Sequence, residues 1–181
     1  ELRSKQKEIR RLQRKLDRSR RATNPQNYNA DFTVKKGFKR WNFSNRYRKT
    51  KTKLEEIQRK QKAHRKTLHG NLVNRILKTG KHVKTEKLSY KAFQKMFGKS
   101  VQFRAPGLFI TLLRRKAESA GGKVYEFSTK DTKLSQYCHV CGKYQHKPLS
   151  QRWHTCCGMH TQRDLYSAFL ALHVQDNSLD T

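Results

Sequence analysis

The sequence predicts an α/β protein: a long basic helical hairpin over residues 1–80, then a strand–helix–strand–helix run with a cysteine-bearing insertion. Three observations predict it. Two long segments carry apolar residues at helical spacing among lysines and arginines. The apolar runs after residue 80 are short and bounded by glycine or proline. All four cysteines lie between Cys138 and Cys157.

Residues 1–23 read as a basic helix with a narrow apolar stripe of Leu2, Ile9, Leu12 and Leu16. Asn24-Pro25 ends it, because a residue before proline is pushed out of the α region. Residues 24–44 mix Asn, Lys and Gly with Tyr28, Phe32, Phe38, Trp41 and Phe43, and read as an irregular loop. Residues 45–79 read as a second helix, with Leu54, Ile57, Leu68, Leu72 and Ile76 at helical spacing and Gly70 interrupting. Its length would be about 50 Å, and Gly80 reads as its stop.

Residues 81–87 form a candidate strand, and 97–104 a basic loop. Ala105-Pro106-Gly107 opens a helix with proline in its first turn. Leu108, Phe109, Leu112 and Leu113 supply that helix's apolar face, and Gly121-Gly122 ends it. Val124-Tyr125-Glu126-Phe127 is a second strand. Residues 164–174 form a last amphipathic helix with Leu165, Phe169 and Leu172 on one side.

Composition narrows the partners. The chain has 181 residues, 43 Lys or Arg against 13 Asp or Glu, and a formal charge of +30. Such a chain repels itself unless polyanions neutralise it, so nucleic acid is the expected partner. No run of 18 apolar residues exists, which excludes a helical membrane span. Glu1 is not preceded by Met and no apolar signal region follows it. The expectation is a cytoplasmic, nucleoid-associated protein and a sequence that is part of a longer chain.

Cys138-His-Val-Cys141-Gly142 is a Cys-x2-Cys-Gly knuckle, and His154-Thr-Cys156-Cys157-Gly158 follows twelve residues later. Two such knuckles can supply four ligands to a tetrahedral structural Zn²⁺, and the clustering fits a metal better than a disulfide framework. Symmetry favours His154 with Cys157 in the second knuckle. Cys156 competes for the fourth position, with His160 a more distant choice. A closed four-ligand site leaves no position for water, so the expected role is to hold a ribbon against the last helix.

The few acids can be taken singly. Glu1, Glu8, Asp17, Glu55 and Glu56 read as surface ion pairs on the long helices. Asp131 reads as a helix or turn cap, and Asp176 and Asp180 as members of a frayed tail. Glu86 ends a strand and Asp164 begins a helix. They are either local features, a salt bridge and an N-terminal cap, or a pair that binds Mg²⁺ for phosphodiester cleavage.

The segment VKTEKLSYKAF (83–93) resembles the Glu-bearing strand of TnpB-type proteins, the OrfB products of bacterial insertion sequences. LSQYCHVCG, LSQRWHTCCG and QRDLYSAFL, within 134–170, resemble their zinc ribbon and following Arg-Asp helix. RRLQRKLDRSRRATNPQNYN (10–29) is similar to their first basic helix. These proteins are relatives of type V CRISPR effectors, and the resemblance covers nearly the whole chain.

The resemblance implies an RNase H-like RuvC nuclease domain, and with it an RNA-guided, Mg²⁺-dependent DNA endonuclease. Its parts would be a basic hairpin (1–80), RuvC core strands and helix (81–133), a zinc ribbon (134–161), and a final RuvC helix and tail (162–181). Glu86 matches the second family carboxylate and Asp164 the third. The first, an Asp on an N-terminal strand, has no match here, nor do the wedge and recognition domains. The chain alone is therefore expected to be inactive, and its partners would be guide RNA, DNA and the N-terminal part of the same protein. Gln162 stands where the family often has Asp, and His154 where it usually has Cys. The stretch from Lys87 to Ala105 looks too short for a helical lid.

Candidate phosphate contacts are Arg10, Arg11, Arg14, Lys15, Arg18, Arg20 and Arg21 on the first helix. In the loop, Lys35, Lys36, Lys39 and Arg40 could track phosphates while Phe38 and Trp41 stack on unpaired bases. Two other functions fit the same residues: a nuclease-dead RNA-guided DNA-binding protein or repressor, and a basic zinc-ribbon protein that binds structured RNA.

Overall fold

The structure, a computed structural model, describes residues 5–148 and 150–179. Glu1, Leu2 and Asp180 lie outside the described residues. The chain is mixed α/β and divides into two compact units, one ending at Leu68 and the other beginning at His69.

In the first unit, helix α1 (Gln6–Thr23) packs against the first part of α2 (Asn45–Thr79). Ile9 and Leu12 recur on one face of α1 and are buried with Leu54 and Ile57 of α2, with Leu16 at the edge. Asn24 leaves helical geometry (φ −139°, ψ 54°) immediately before Pro25. A single 3₁₀ turn, Pro25–Asn27, opens the irregular loop. The expected ion pairs form: Glu8 with Lys53, Asp17 with Arg20 and Arg21, Glu55 with Lys51, and Glu56 with Arg59 and Lys60.

The loop is held by two buried asparagines. The Asn24 side chain donates to the Arg20 and Asn42 carbonyls (2.9 and 2.8 Å) and accepts from the Asn42 amide (2.7 Å). Asn27 donates to the Arg40 carbonyl at 2.8 Å. Full use of a buried amide's polar groups fixes backbone that no ladder could hold.

The second unit contains the rest of α2, β1 (His82–Glu86), α3 (Tyr90–Arg104), α4 (Pro106–Ser119), β2 (Lys123–Phe127), the one-turn α5 (Thr129–Thr132), the hairpin β3 (Trp153–Cys156) and β4 (Met159–Gln162), α6 (Arg163–Leu172), and the hairpin β5 (Val174–Gln175) and β6 (Ser178–Leu179). Strands β1 and β2 pair in parallel, with Val83 opposite Val124 and Glu86 opposite Phe127. Alternation sends Val83 and Val124 to one core with Val73, Leu112 and Leu113. Phe127 faces the other way, into a core with Leu134, Tyr166, Leu170 and Val174. Lys84, on this second face, donates to the Leu172 and Val174 carbonyls (2.7 and 2.8 Å) and so closes the C-terminal end of α6. Gly122 admits the start of this pairing, since a Cβ there would stand 2.1 Å from the Lys81 carbonyl oxygen.

Five expectations change. Residues 97–104 are the second half of α3, not a loop, so the stretch after Glu86 does carry a helix of 15 residues. Ser89 caps it by accepting from the Ala92 amide, and a kink at Phe97 (φ −129°) breaks its period. Phe93, Met96 and Phe97 are exposed on it, so no buried stripe marked the helix. On α6 the buried face is Arg163, Tyr166 and Leu170, while Leu165 is 71% and Leu172 67% exposed. Aliphatic count misidentified that face because its anchors are amphipathic, a tyrosine and an arginine with apolar bodies. Val73 rather than Leu72 enters the α2 core. The residues around Asp176 are not frayed: Asp176 (φ 43°) and Asn177 (φ 65°) form the turn of the β5–β6 hairpin. Asp131 lies in the first turn of α5, whose N-cap position is Ser128. Among the described residues no helix is long and apolar enough to cross a membrane.

Candidate metal sites

The first knuckle is a tight backbone turn. The Gly142 amide donates to the Cys138 carbonyl at 2.8 Å, the Cys138 amide donates to the Lys143 carbonyl at 3.0 Å, and Gly142 has φ +66°. The second is the turn of the β3–β4 hairpin, with Cys157 (φ 50°) and Gly158 (φ 76°) at its two central positions. Both values suit a two-residue turn that matches strand twist, and glycine relieves the second.

These turns bring the sulfurs of Cys138, Cys141, Cys156 and Cys157 within 4.8 Å of one another. Cys156 Sγ lies 3.7 Å from that of Cys141 and 3.5 Å from that of Cys157. Four thiolates at ~2.3 Å from a tetrahedral Zn²⁺ stand roughly 3.8 Å apart. The donor set and spacing therefore fit a closed, structural zinc site.

Of the two candidates for the fourth position, Cys156 lies in the sulfur cluster and His154 is not a member of that group. Residues 154 and 156 share a face of β3, and Cys156 takes the position nearest the turn. His154 lies one step deeper, 1% exposed, with its ring stacked on Tyr166 at 4.3 Å. Its Nδ1 accepts from the buried Lys147 ammonium at 2.5 Å. His160 is outside the cluster, stacked on Trp153 at 4.7 Å and hydrogen-bonded to Thr155.

Charge around the sulfurs is uneven. Burial raises the Cys138 thiol, but the Cys141 amide and His154 outweigh it and bring its pKa down to about 6. Hydrogen bonds that the Cys156 thiol donates to Cys157, Cys138 and Cys141 hold its proton and push it up to about 12. One thiolate is thus stabilised by its neighbours' protons. Burial lowers the pKa of Lys147. The Tyr166 hydroxyl accepts from the His139 amide at 3.0 Å and meets His139 Nδ1 at 2.7 Å, tying α6 to the first knuckle. Lys147 and Tyr166 are the supporting residues that sequence reasoning missed. Nothing distinguishes Lys147 from the other lysines until its burial is seen.

The two singled-out carboxylates occupy different surroundings. Glu86 is half-buried at the C-terminal end of β1, on the sheet face that α6 covers. Burial raises its pKa, and among the described residues no ion pair to it forms. Its reading as a salt bridge finds no partner among the described residues. Asp164 is 65% exposed in the first turn of α6 and lies 3.6 Å from Arg163 Nε. It is not the N-cap, because Gln162 holds that position and accepts from the Leu165 amide at 2.7 Å. The Gln162 amide also donates to Asp164 Oδ2 at 3.3 Å, orienting that carboxylate. Neither acid belongs to a group of three metal-ligating side chains among the described residues.

The basic candidates divide. Arg10, Arg11, Arg14 and Arg18 are exposed on α1, and Lys15 is half-buried. Arg20 and Arg21 are engaged internally: both pair with Asp17, Arg20 lies over Trp41, and Arg21 lies over Phe32. Trp41 packs edge-on to Tyr28, so it is part of the loop's own packing rather than a free platform. Phe38 is 100% exposed. Lys35, Lys36 and Arg40 are exposed, and Lys39 is half-buried with its Nζ on the Gly37 carbonyl.

Residues 107–170 match the family model described as Cas12f1-like, TNB domain. The matched stretch runs from the start of α4 through β2 and the cysteine hairpin to Leu170 of α6. It includes Asp164 and all four cysteines and leaves out Glu86 and the first unit. Over that stretch the match supports a TnpB/Cas12-type relative. No curated protein matches the chain.

Proposed function

We propose that the chain is the C-terminal part of an RNA-guided DNA endonuclease of the TnpB/Cas12 type. The observation that carries this reading is the match over residues 107–170, which joins the cysteine ribbon to the Asp164 helix. Glu86 adds support, as a half-buried carboxylate without a cationic partner among the described residues, on the sheet face beneath α6. A half-buried carboxylate whose pKa is perturbed is a candidate for a functional role.

Glu86 and Asp164 would hold Mg²⁺, and Gln162 would keep Asp164 in one rotamer. When bound, the metal activates water and stabilises the leaving oxygen of a DNA phosphate. A third carboxylate is needed to complete the ligand set, and we assign it to a preceding segment of the same protein. The zinc ribbon holds α6, and hence Asp164, against the sheet through Tyr166. The cations on α1 and in the following loop neutralise phosphates of guide and target.

The test joins this chain to its preceding segment and guide RNA and follows plasmid cleavage in Mg²⁺. Asp164→Ala and Glu86→Gln should each reduce cutting at least about hundred-fold, as expected for loss of a metal ligand, with RNA and target binding retained. Undiminished cutting by either variant removes that residue from the site. Guided binding without cleavage in the unsubstituted protein would instead support a nuclease-dead DNA binder. Binding to structured RNA alone would leave the zinc-ribbon RNA-binding function.

A further inference from the structure

The first unit carries a feature that metal chemistry does not use. Residues 35–40 leave and rejoin the fold at one residue. The Lys35 amide donates to the Asn27 backbone carbonyl at 3.0 Å, and the Asn27 side chain donates to the Arg40 carbonyl at 2.8 Å. Asn27 is itself buried in the 3₁₀ turn that follows α1. The loop is therefore clamped at both ends by a fixed group. At its tip Gly37 takes φ +90°, a conformation that favours glycine, and Lys39 Nζ reaches back 2.5 Å to the Gly37 carbonyl. The next residue, Phe38, is 100% exposed.

A fully bare phenylalanine on a braced loop leaves a large apolar ring in water that burial would otherwise stabilise. Its surroundings say what would cover it. Lys35, Lys36 and Arg40 are exposed beside it, and no Asp or Glu occurs in the sequence between Asp31 and Glu55. An apolar protein partner would have to desolvate these cations, whereas a nucleic-acid strand brings phosphates to them and a base to the ring.

We propose that residues 35–40 form a base-stacking wedge: Phe38 stacks on an unpaired base while Lys35, Lys36 and Arg40 hold the flanking phosphates. The ligand class is a single-stranded or locally unpaired nucleic acid, RNA or DNA. The proposal rests on the nucleic-acid part of the function above but not on catalysis. Trp41, the other ring expected to stack, is consumed by Tyr28 and Arg20.

The experiment uses the full chain, loaded with zinc, and fluorescent 20-nucleotide RNA and DNA strands. A matched duplex and anionic lipid vesicles serve as further arms. Phe38→Ala should weaken single-strand binding by about 5- to 100-fold, the range for one lost stack, without changing the slope of affinity against salt. Phe38→Trp should restore binding, and its indole emission should fall when a strand is added. Lys36→Gln should instead lower the salt slope by about one phosphate. The RNA and DNA arms decide which strand the wedge prefers. An unaltered affinity for both strands in Phe38→Ala overturns the wedge and leaves the general phosphate reading standing. Loss of vesicle binding with no loss of strand binding overturns it in favour of a membrane-surface loop. No binding of any oligonucleotide by the unsubstituted protein overturns both the wedge and the nucleic-acid reading.

Discussion

Single residues carry the sharpest geometric demands. Gly122 sits where any side chain meets the Lys81 carbonyl. Gly122→Ala should therefore destabilise the protein by about 2–3 kcal/mol, in the upper range of single substitutions, measured by urea denaturation. Asn24→Ala removes three hydrogen bonds at a fully buried site and should cost about 2–3 kcal/mol, each bond contributing about 1. Residues of this kind were only partly legible beforehand. Gly121-Gly122 was readable as a helix stop, but the close approach at Gly122 depends on a strand forty residues away. Asn24 was legible as the residue before a proline, and its bonds to Asn42 were not. Glu86 and Asp164 stood out because acids are so few in this chain, but only the structure shows Gln162 at the N-cap position of α6 and Asp164 beside Arg163.

At the scale of elements, periodicity was a good guide where a helix buries aliphatic residues and a poor one elsewhere. It located α1, α2 and α4 because Ile9, Leu12, Leu54, Ile57, Leu112 and Leu113 repeat on one face. It missed the second half of α3, whose Phe93, Met96 and Phe97 remain exposed, and it chose the wrong face of α6. The cysteine ribbon was legible by spacing except for the fourth member of the sulfur cluster, because a knuckle pattern cannot reveal that a hairpin turn places adjacent Cys156 and Cys157 together. That correction is testable. His154→Ala should retain one zinc per chain by metal analysis, whereas Cys156→Ser should lose it. Loss of zinc in the histidine variant would contradict the four-sulfur set. After chelation, pH should reveal the uneven thiols. The Cys138 pKa is depressed to about 6 in the folded state, so its contribution is full above the ordinary value of about 8.5 and is lost as pH falls toward 6. Cys156 is raised to about 12, so its contribution is present below about 8.5 and is lost as pH rises toward 12. The melting temperature of the zinc-free protein should then peak near pH ~8.5. A monotonic pH dependence across that window would contradict the assignment.

Across the whole molecule the dominant fact is a formal charge of +30, visible in composition alone. It is the ground on which we propose a polyanionic partner, and oligonucleotide affinity should fall by at least about 10³ between 50 and 200 mM salt if six or more phosphates are neutralised. A shallow salt dependence, read by fluorescence anisotropy, would mean that most of these cations are only solvated surface. Charge does not identify the chemistry; the proposed cleavage requires two acids 78 positions apart in the sequence to serve one metal. Paramagnetic titration tests that directly. Mn²⁺ added to the zinc-loaded, isotope-labelled chain should broaden the amide resonances around Glu86 and those around Asp164 together, at the same Mn²⁺ concentration, and Asp164→Ala should abolish both effects. Broadening at only one of the two, or only around Glu55 and Glu56, would show that the carboxylates do not share a metal.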